Sequence, residues 1–228
     1  MATTQVRISA TDRREQILDV AMQLFARQGF QGTTTRQIAG RAGVNEALIF
    51  RHFPSKEDLY WAVIERKIQS ASPRERMQKW LESPGSDLEI LSGLAAEILE
   101  RRAKDQTLSR LLLYSALESH QLSQRFFRNY VAEYYEVLAE YIRRRSAEGE
   151  FRPVDPLLAA RGFFGMVIYH SWVQELFGGK RYQAFDVEQV SRTMAEIWLD
   201  GMRPRGKSAT AVRARKSKSK GIHRHGRE

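Results

Sequence analysis

The 228-residue chain reads as an all-α protein: a small N-terminal three-helix domain with a helix-turn-helix, followed by a larger helical domain. Three observations carry that expectation. Apolar residues recur at helical spacing along most of the chain. No stretch alternates convincingly as a strand. Gly and Pro cut the pattern into pieces of helix length.

The first piece places Ile17, Ala21, Leu24 and Phe25 on one face, with Ser9 or Thr11 as N-cap. Gly29 closes it and Phe30 packs back behind. A second helix begins at Thr34–Thr35 and carries Ile38, Ala39 and Ala42 inward until Gly43. Asn45 caps a third, which runs to about His52 and is stopped by Pro54. Ser55 with Asp58 opens a fourth through Leu59, Val63 and Ile68. Pro73 and the run Ser83-Pro84-Gly85-Ser86 mark 70–87 as a boundary region with a short helix around Trp80. Further helices are expected near 88–104, 106–119, 122–148, 154–178 and 184–202. The domain bounds are then 10–56, 57–202, and a basic tail over 203–228. That tail lacks the apolar residues needed to offset its ordering entropy, so disorder is expected there.

Charge is uneven. The net formal charge is +10, and residues 203–228 hold ten Lys/Arg against one Glu. Residues 1–56 hold eight against four acids, whereas 57–202 hold nineteen against twenty-two. The two ends suit a polyanion and the middle does not. There are no cysteines, which excludes a disulfide scaffold and a Cys-based zinc site. No apolar run approaches the roughly 20 residues of a membrane span, and no secretory leader is visible. A cytoplasmic, nucleoid-associated protein is expected.

The strongest motif is Gly29-Phe30-x-Gly32-Thr33-Thr34-Thr35-Arg36-x-Ile38-Ala39-x-x-Ala42-Gly43-Val44-Asn45, continued by Ile49-Phe50-Arg51-His52-Phe53-x-x-Lys56. Ala39 is small enough for two helices to approach closely. Gly43 supplies a turn with positive φ. Ile49 and Phe53 would bury against the first helix and leave the opposite face of the third free for a major groove.

This arrangement resembles the TetR family of transcriptional regulators over about residues 10–60. The resemblance implies a homodimer whose heads bind a palindromic operator and whose C-terminal domains hold a small-molecule pocket, with ligand releasing DNA. Carried over by position, the DNA-binding residues are Thr34, Thr35 and Arg36 at the start of the second helix, and Asn45, Glu46, Ala47 and Leu48 at the start of the third. Phe50, Arg51, His52 and Lys56 complete the set. Threonine hydroxyls and helix N-terminal N–H groups suit phosphate. Glu46 suits a cytosine amine, and Ala47 or Leu48 a thymine methyl. The family usually has tyrosine where this chain has Phe50, which packs equally well but donates no hydrogen bond.

In the second domain, Phe127, Tyr130, Tyr134, Phe163, Val167 and His170 are candidate pocket residues, against the simpler reading of aromatic stripes as core. Phe164, Tyr169, Trp172, Met194 and Trp198 exceed what one buried face needs and are candidate dimer contacts. The expected partners are double-stranded DNA, an apolar or aromatic effector and a second copy of the chain, with no membrane and no cofactor. Catalysis is disfavoured: none of the five histidines follows a Glu at the Glu-x-x-His spacing, and no phosphate loop or nucleophile elbow occurs. A non-specific architectural DNA binder aided by the tail is the alternative.

Overall fold

The computed structural model describes residues 9–118 and 120–204. The basic tail expected over 203–228 lies outside the described residues from Arg205 onward. Among the described residues the structure is helical, with no strand and no helix long and apolar enough to cross a membrane. The helices are α1 (Ala10–Gln28), α2 (Thr35–Ala42), α3 (Glu46–His52), α4 (Lys56–Ala71), α5 (Pro73–Leu81) and α6 (Asp87–Lys104). They continue as α7 (Thr107–Glu118), α8 (His120–Phe126), α9 (Ala132–Ala147), α10 (Pro156–Ser171) and α11 (Val187–Met202).

Side-chain caps fix most of the starts. Ser9, not Thr11, caps α1 by accepting the Asp12 N–H at 3.0 Å. Ser86 and Glu89 form a capping box at α6, and Asp155 and Asp186 cap α10 and α11. Trp80 does sit in a short helix within 70–87, now α5. Its indole lies across Gly93 of α6 so closely that a Cβ there would overlap the ring, and its N–H donates to Glu97 at 2.6 Å.

Two of the expected long helices are interrupted. The piece near 122–148 divides into α8 and α9 around a π-helical segment, Phe127–Val131. The piece near 154–178 passes from α10 into a second π segment, Trp172–Leu176. A π turn inserts one extra residue without breaking the chain's helical course, so apolar periodicity alone does not reveal it.

The buried residues form two clusters. One is built from α1 to α4 and reaches far along the sequence to Leu111 of α7 and Leu122 of α8. The other joins α5, α6, α9, α10 and α11 around Leu91, Leu138, Ile142, Phe163 and Val167. The bound drawn at Lys56 falls on the first residue of α4. That helix contributes Leu59, Tyr60, Val63, Ile64 and Ile68 to the core of the head.

Candidate nucleic-acid interface

Helices α2 and α3 owe their geometry to the turn between them. Thr34 and Gln37 form a capping box: the Thr34 hydroxyl accepts the Gln37 N–H at 3.2 Å, and the Gln37 carboxamide accepts the Thr34 N–H at 3.0 Å. At the other end Gly43 takes the left-handed conformation, φ 62°, ψ 36°. A side chain is rarely tolerated there. Asn45 then caps α3, its side-chain oxygen accepting the Leu48 N–H at 2.8 Å.

The recognition helix is anchored on one face and free on the other. Ile49 and Phe53 are buried in the head core, as their spacing predicts. Ala47, Phe50 and Arg51 are exposed, and Glu46 and Leu48 are half-buried. Arg36, Arg41 and Arg51 make no ion pair among the described residues, so their charges stay available to a polyanion. Arg41 is a basic residue of this surface that the motif did not single out. On α2 it lies to one side of the buried arc of Ile38, Ala39 and Ala42.

Several of the expected contact residues also have partners inside the head. The Thr35 hydroxyl donates to the Glu46 carboxylate, tying the start of α2 to the start of α3. That bond holds one oxygen of the group assigned to a cytosine amine. The Lys56 ammonium lies 4.3 Å from the centre of the Phe30 ring, and burial lowers its pKa from the ordinary lysine value. Asn45 spends its oxygen on the cap and keeps its amide N–H groups. His52 is half-buried beside Phe53, ring centres 6.3 Å apart.

The head is braced from within and from behind. Gln16 of α1 donates to the Ala42 carbonyl at 3.0 Å. Arg66 of α4 pairs with Glu15 at 3.1 Å and Asp19 at 2.8 Å on α1. Helix α7 then meets the end of α1 directly. Arg110 donates to the Ala26 carbonyl at 2.6 Å, and the Glu118 carboxylate accepts the Gln31 N–H at 2.9 Å. Tyr60 of α4 donates to the Leu111 carbonyl at 2.6 Å. Gly29 sits in this contact with φ 78°. A Cβ there would overlap both the Glu118 carboxylate and the Tyr114 ring.

The candidate pocket residues fall in more than one place: Tyr134 packs on the cluster that holds Phe163 and Val167, and Tyr130 packs on the head core. Phe163 and Val167 are fully buried in the core of the larger domain. Phe127 is exposed on the first π segment. Tyr130 packs on Trp61 and Phe126, ring centres 6.0 and 5.7 Å apart. Tyr134 is half-buried, and burial raises its hydroxyl pKa well above the ordinary value. His170 lies against Phe185, and burial lowers its imidazole pKa. Two surface cavities, of about 370 and 600 Å³, involve none of the six.

The candidate dimer residues also separate. Tyr169 is 63% exposed. Trp172 and Met194 are half-buried. Phe164 and Trp198, by contrast, turn into the core of their own subunit, which corrects their assignment to an outer contact. Trp198 meets Phe163 and Phe151 edge-on, and its indole N–H donates to the Ala159 carbonyl at 3.0 Å. The outward face of α10 and α11 instead presents Leu158, Tyr169 and Ile197, each more than 60% exposed. Between them Gly162, Gly165 and Gly201 leave open space. The 600 Å³ groove runs along this face.

A braced three-helix head that offers the free side of a short helix, with unpaired arginines beside it, defines a helix-turn-helix DNA-binding regulator. Family models agree in both halves. Residues 17–63 match "Bacterial regulatory proteins, tetR family", and residues 90–200 match "AefR-like transcriptional repressor, C-terminal domain". The nucleoid occlusion factor SlmA of Photobacterium profundum is 32% identical over 184 residues, spanning 77% of this chain and 91% of its own. The HTH-type transcriptional regulator AcrR of Shigella flexneri is 28% identical over 199 residues, spanning 84% and 89%. Among solved structures, the transcriptional regulator FadR of Bacillus subtilis in complex with stearoyl-CoA superposes with a TM-score of 0.66 at 23% identity, covering 83% of this chain and 99% of that one. The chain belongs to the TetR family of transcriptional regulators.

Proposed function

We propose that this protein is a ligand-responsive repressor that acts as a homodimer on a palindromic operator. The observation that carries the DNA-reading part is the two-sided recognition helix, with Ile49 buried and Ala47, Phe50 and Arg51 exposed. One such helix reads only a few base pairs, so useful specificity calls for two. The second copy has a suitable seat. The α10–α11 face is apolar, exposed, and smoothed by glycines that let helices approach closely. A two-fold dimer through this face would present the two heads as related copies to two half-sites.

Repression by occlusion and release by a small effector are supported by the match of the C-terminal half to a repressor-domain model and by the stearoyl-CoA complex of FadR. Acyl compounds are therefore the first effectors to try. The proposed domain division is a head, a regulatory helical domain and a basic tail that adds non-specific affinity.

Selection of duplexes from a random pool tests this reading. The expected product is a palindrome whose half-sites lie on one face of the helix. Recovery of only unrelated sequences would instead favour a non-specific, architectural role, which the basic composition of both chain ends also suits.

A further inference from the structure

Two buried donors in the regulatory domain have no acceptor. Arg102 lies in the last turn of α6. Its Nε donates to the Ser171 hydroxyl at 3.0 Å. Its Nη2 is shut off from solvent and has no hydrogen-bond partner. The guanidinium forms no ion pair among the described residues, and burial is the one influence on its pKa, pulling it down to about 10. Glu175, one turn beyond Ser171, is held by Gln106, at 3.2 Å, and by Lys180.

The second donor is the indole Nε1 of Trp172, the residue after Ser171, also buried and without a partner. Trp172 opens the π segment that continues α10. Such turns re-aim side chains and recur at functional sites. One side of the pair is apolar: Leu99 lies one turn before Arg102, and Val167 one turn before Ser171, both buried.

A buried guanidinium is normally matched by a carboxylate or by several carbonyls, because an unmatched charge in such a place is costly. We propose that Arg102 and Trp172 form the polar end of an internal effector site, and that the effector is a small organic carboxylate on an apolar or aromatic body. A carboxylate presents two coplanar acceptor oxygens, which suits a guanidinium N–H on one side and an indole N–H on the other. The apolar remainder would lie along the Leu99 and Val167 side of the helices. This assignment rests on the reading of the protein as a ligand-responsive regulator.

The test uses the full chain and a panel of benzoate, octanoate and palmitate. Each is paired with its methyl ester, and octyl phosphate is added as a different anion. Binding is followed by calorimetry and by thermal shift without DNA, so the result does not depend on an operator. At least one acid is expected to bind about tenfold or more tightly than its ester. In Arg102→Met the acid-to-ester ratio should fall to about one. Trp172→Phe should lower acid affinity severalfold. Arg102→Lys, which keeps the charge but loses the fork, should retain part of the preference and serves if Arg102→Met does not fold. Equal affinity of acid and ester, an unchanged ratio in both Arg102 variants, or no binding by any acid overturns the assignment. Tighter binding of octyl phosphate than of octanoate overturns the choice of carboxylate. Failure to select an operator would count against the regulator reading and leave these binding results standing.

Discussion

The carboxylate of Glu118 accepts the backbone N–H of Gln31 at 2.9 Å, joining residues 87 positions apart. With Arg110 on the Ala26 carbonyl, it fastens α7 to the loop that leaves α1. Gly29 is pinned at this junction by both its φ of 78° and the lack of room for a Cβ. Gly29→Ala is expected to destabilise the protein by about 1–3 kcal/mol, through left-handed strain plus displacement of Glu118 and Tyr114. A melting curve checks it, and an unchanged midpoint would show that the junction yields freely.

Phe50 is 45% exposed beside the unpaired Arg51. Adding a hydroxyl there restores the donor that the family usually has. Phe50→Tyr should therefore tighten operator binding severalfold, by roughly one hydrogen bond to a charged phosphate. Arg51→Ala should weaken it and reduce the salt slope by about one. A titration series at several salt concentrations measures both.

The outward apolar face predicts which substitutions would divide the proposed dimer. Leu158→Asp or Ile197→Asp places charge on the open face and should give folded monomers by light scattering. Trp198→Asp should instead unfold the subunit, because it buries a carboxylate among Phe151 and Phe163. Dimers that survive both surface substitutions would move the interface elsewhere.

His170 supplies a pH test. Burial lowers its pKa below the ordinary 6.5, so the unfolded chain takes up a proton first as pH falls. The stability tied to its neutral form is present above about pH 6.5 and is lost as pH drops through the lower folded value. The midpoint of unfolding should fall between pH 7 and 5, and His170→Gln should flatten that part of the profile. Asp105 acts in a separate window. Burial alone would raise its pKa, but Lys67 and the Thr107 N–H outweigh that and hold it near 2, so its contribution is lost as pH falls from about 3.8 through about 2.

The head was legible because its constraints are local. Gly43 marks the turn, Asn45 and Thr34 mark caps, and the 3.6 period of Ile38, Ala42, Ile49 and Phe53 marks the core. The regulatory domain was legible in its helices and not in their roles. Apolar periodicity tells that Phe164 and Trp198 are turned inward, but not whether inward means their own subunit or a partner. The π turns at Phe127 and Trp172 leave no mark in composition. Arg102, next to Arg101 at a helix C-terminus, looks like any solvated charge until burial and the direction of Glu175 are known. Arg110 and Glu118 likewise look like the polar side of a surface helix, and their partners become visible only in three dimensions.

The bracing of α1 has a mechanical side. Its contacts with α7 gather at one end, at Ala26, Arg27 and the Gln31 loop, while Gln16 grips the end of α2 much nearer the other. At about 1.5 Å per residue, the 19-residue helix is a lever about 28 Å long. A turn of about 5° around the α7 end swings the far tip by roughly 2.5 Å and the Gln16 level by roughly 1.5 Å. A slight shift of α7 is thereby enlarged into a displacement comparable to the tolerance of a hydrogen bond in a DNA groove.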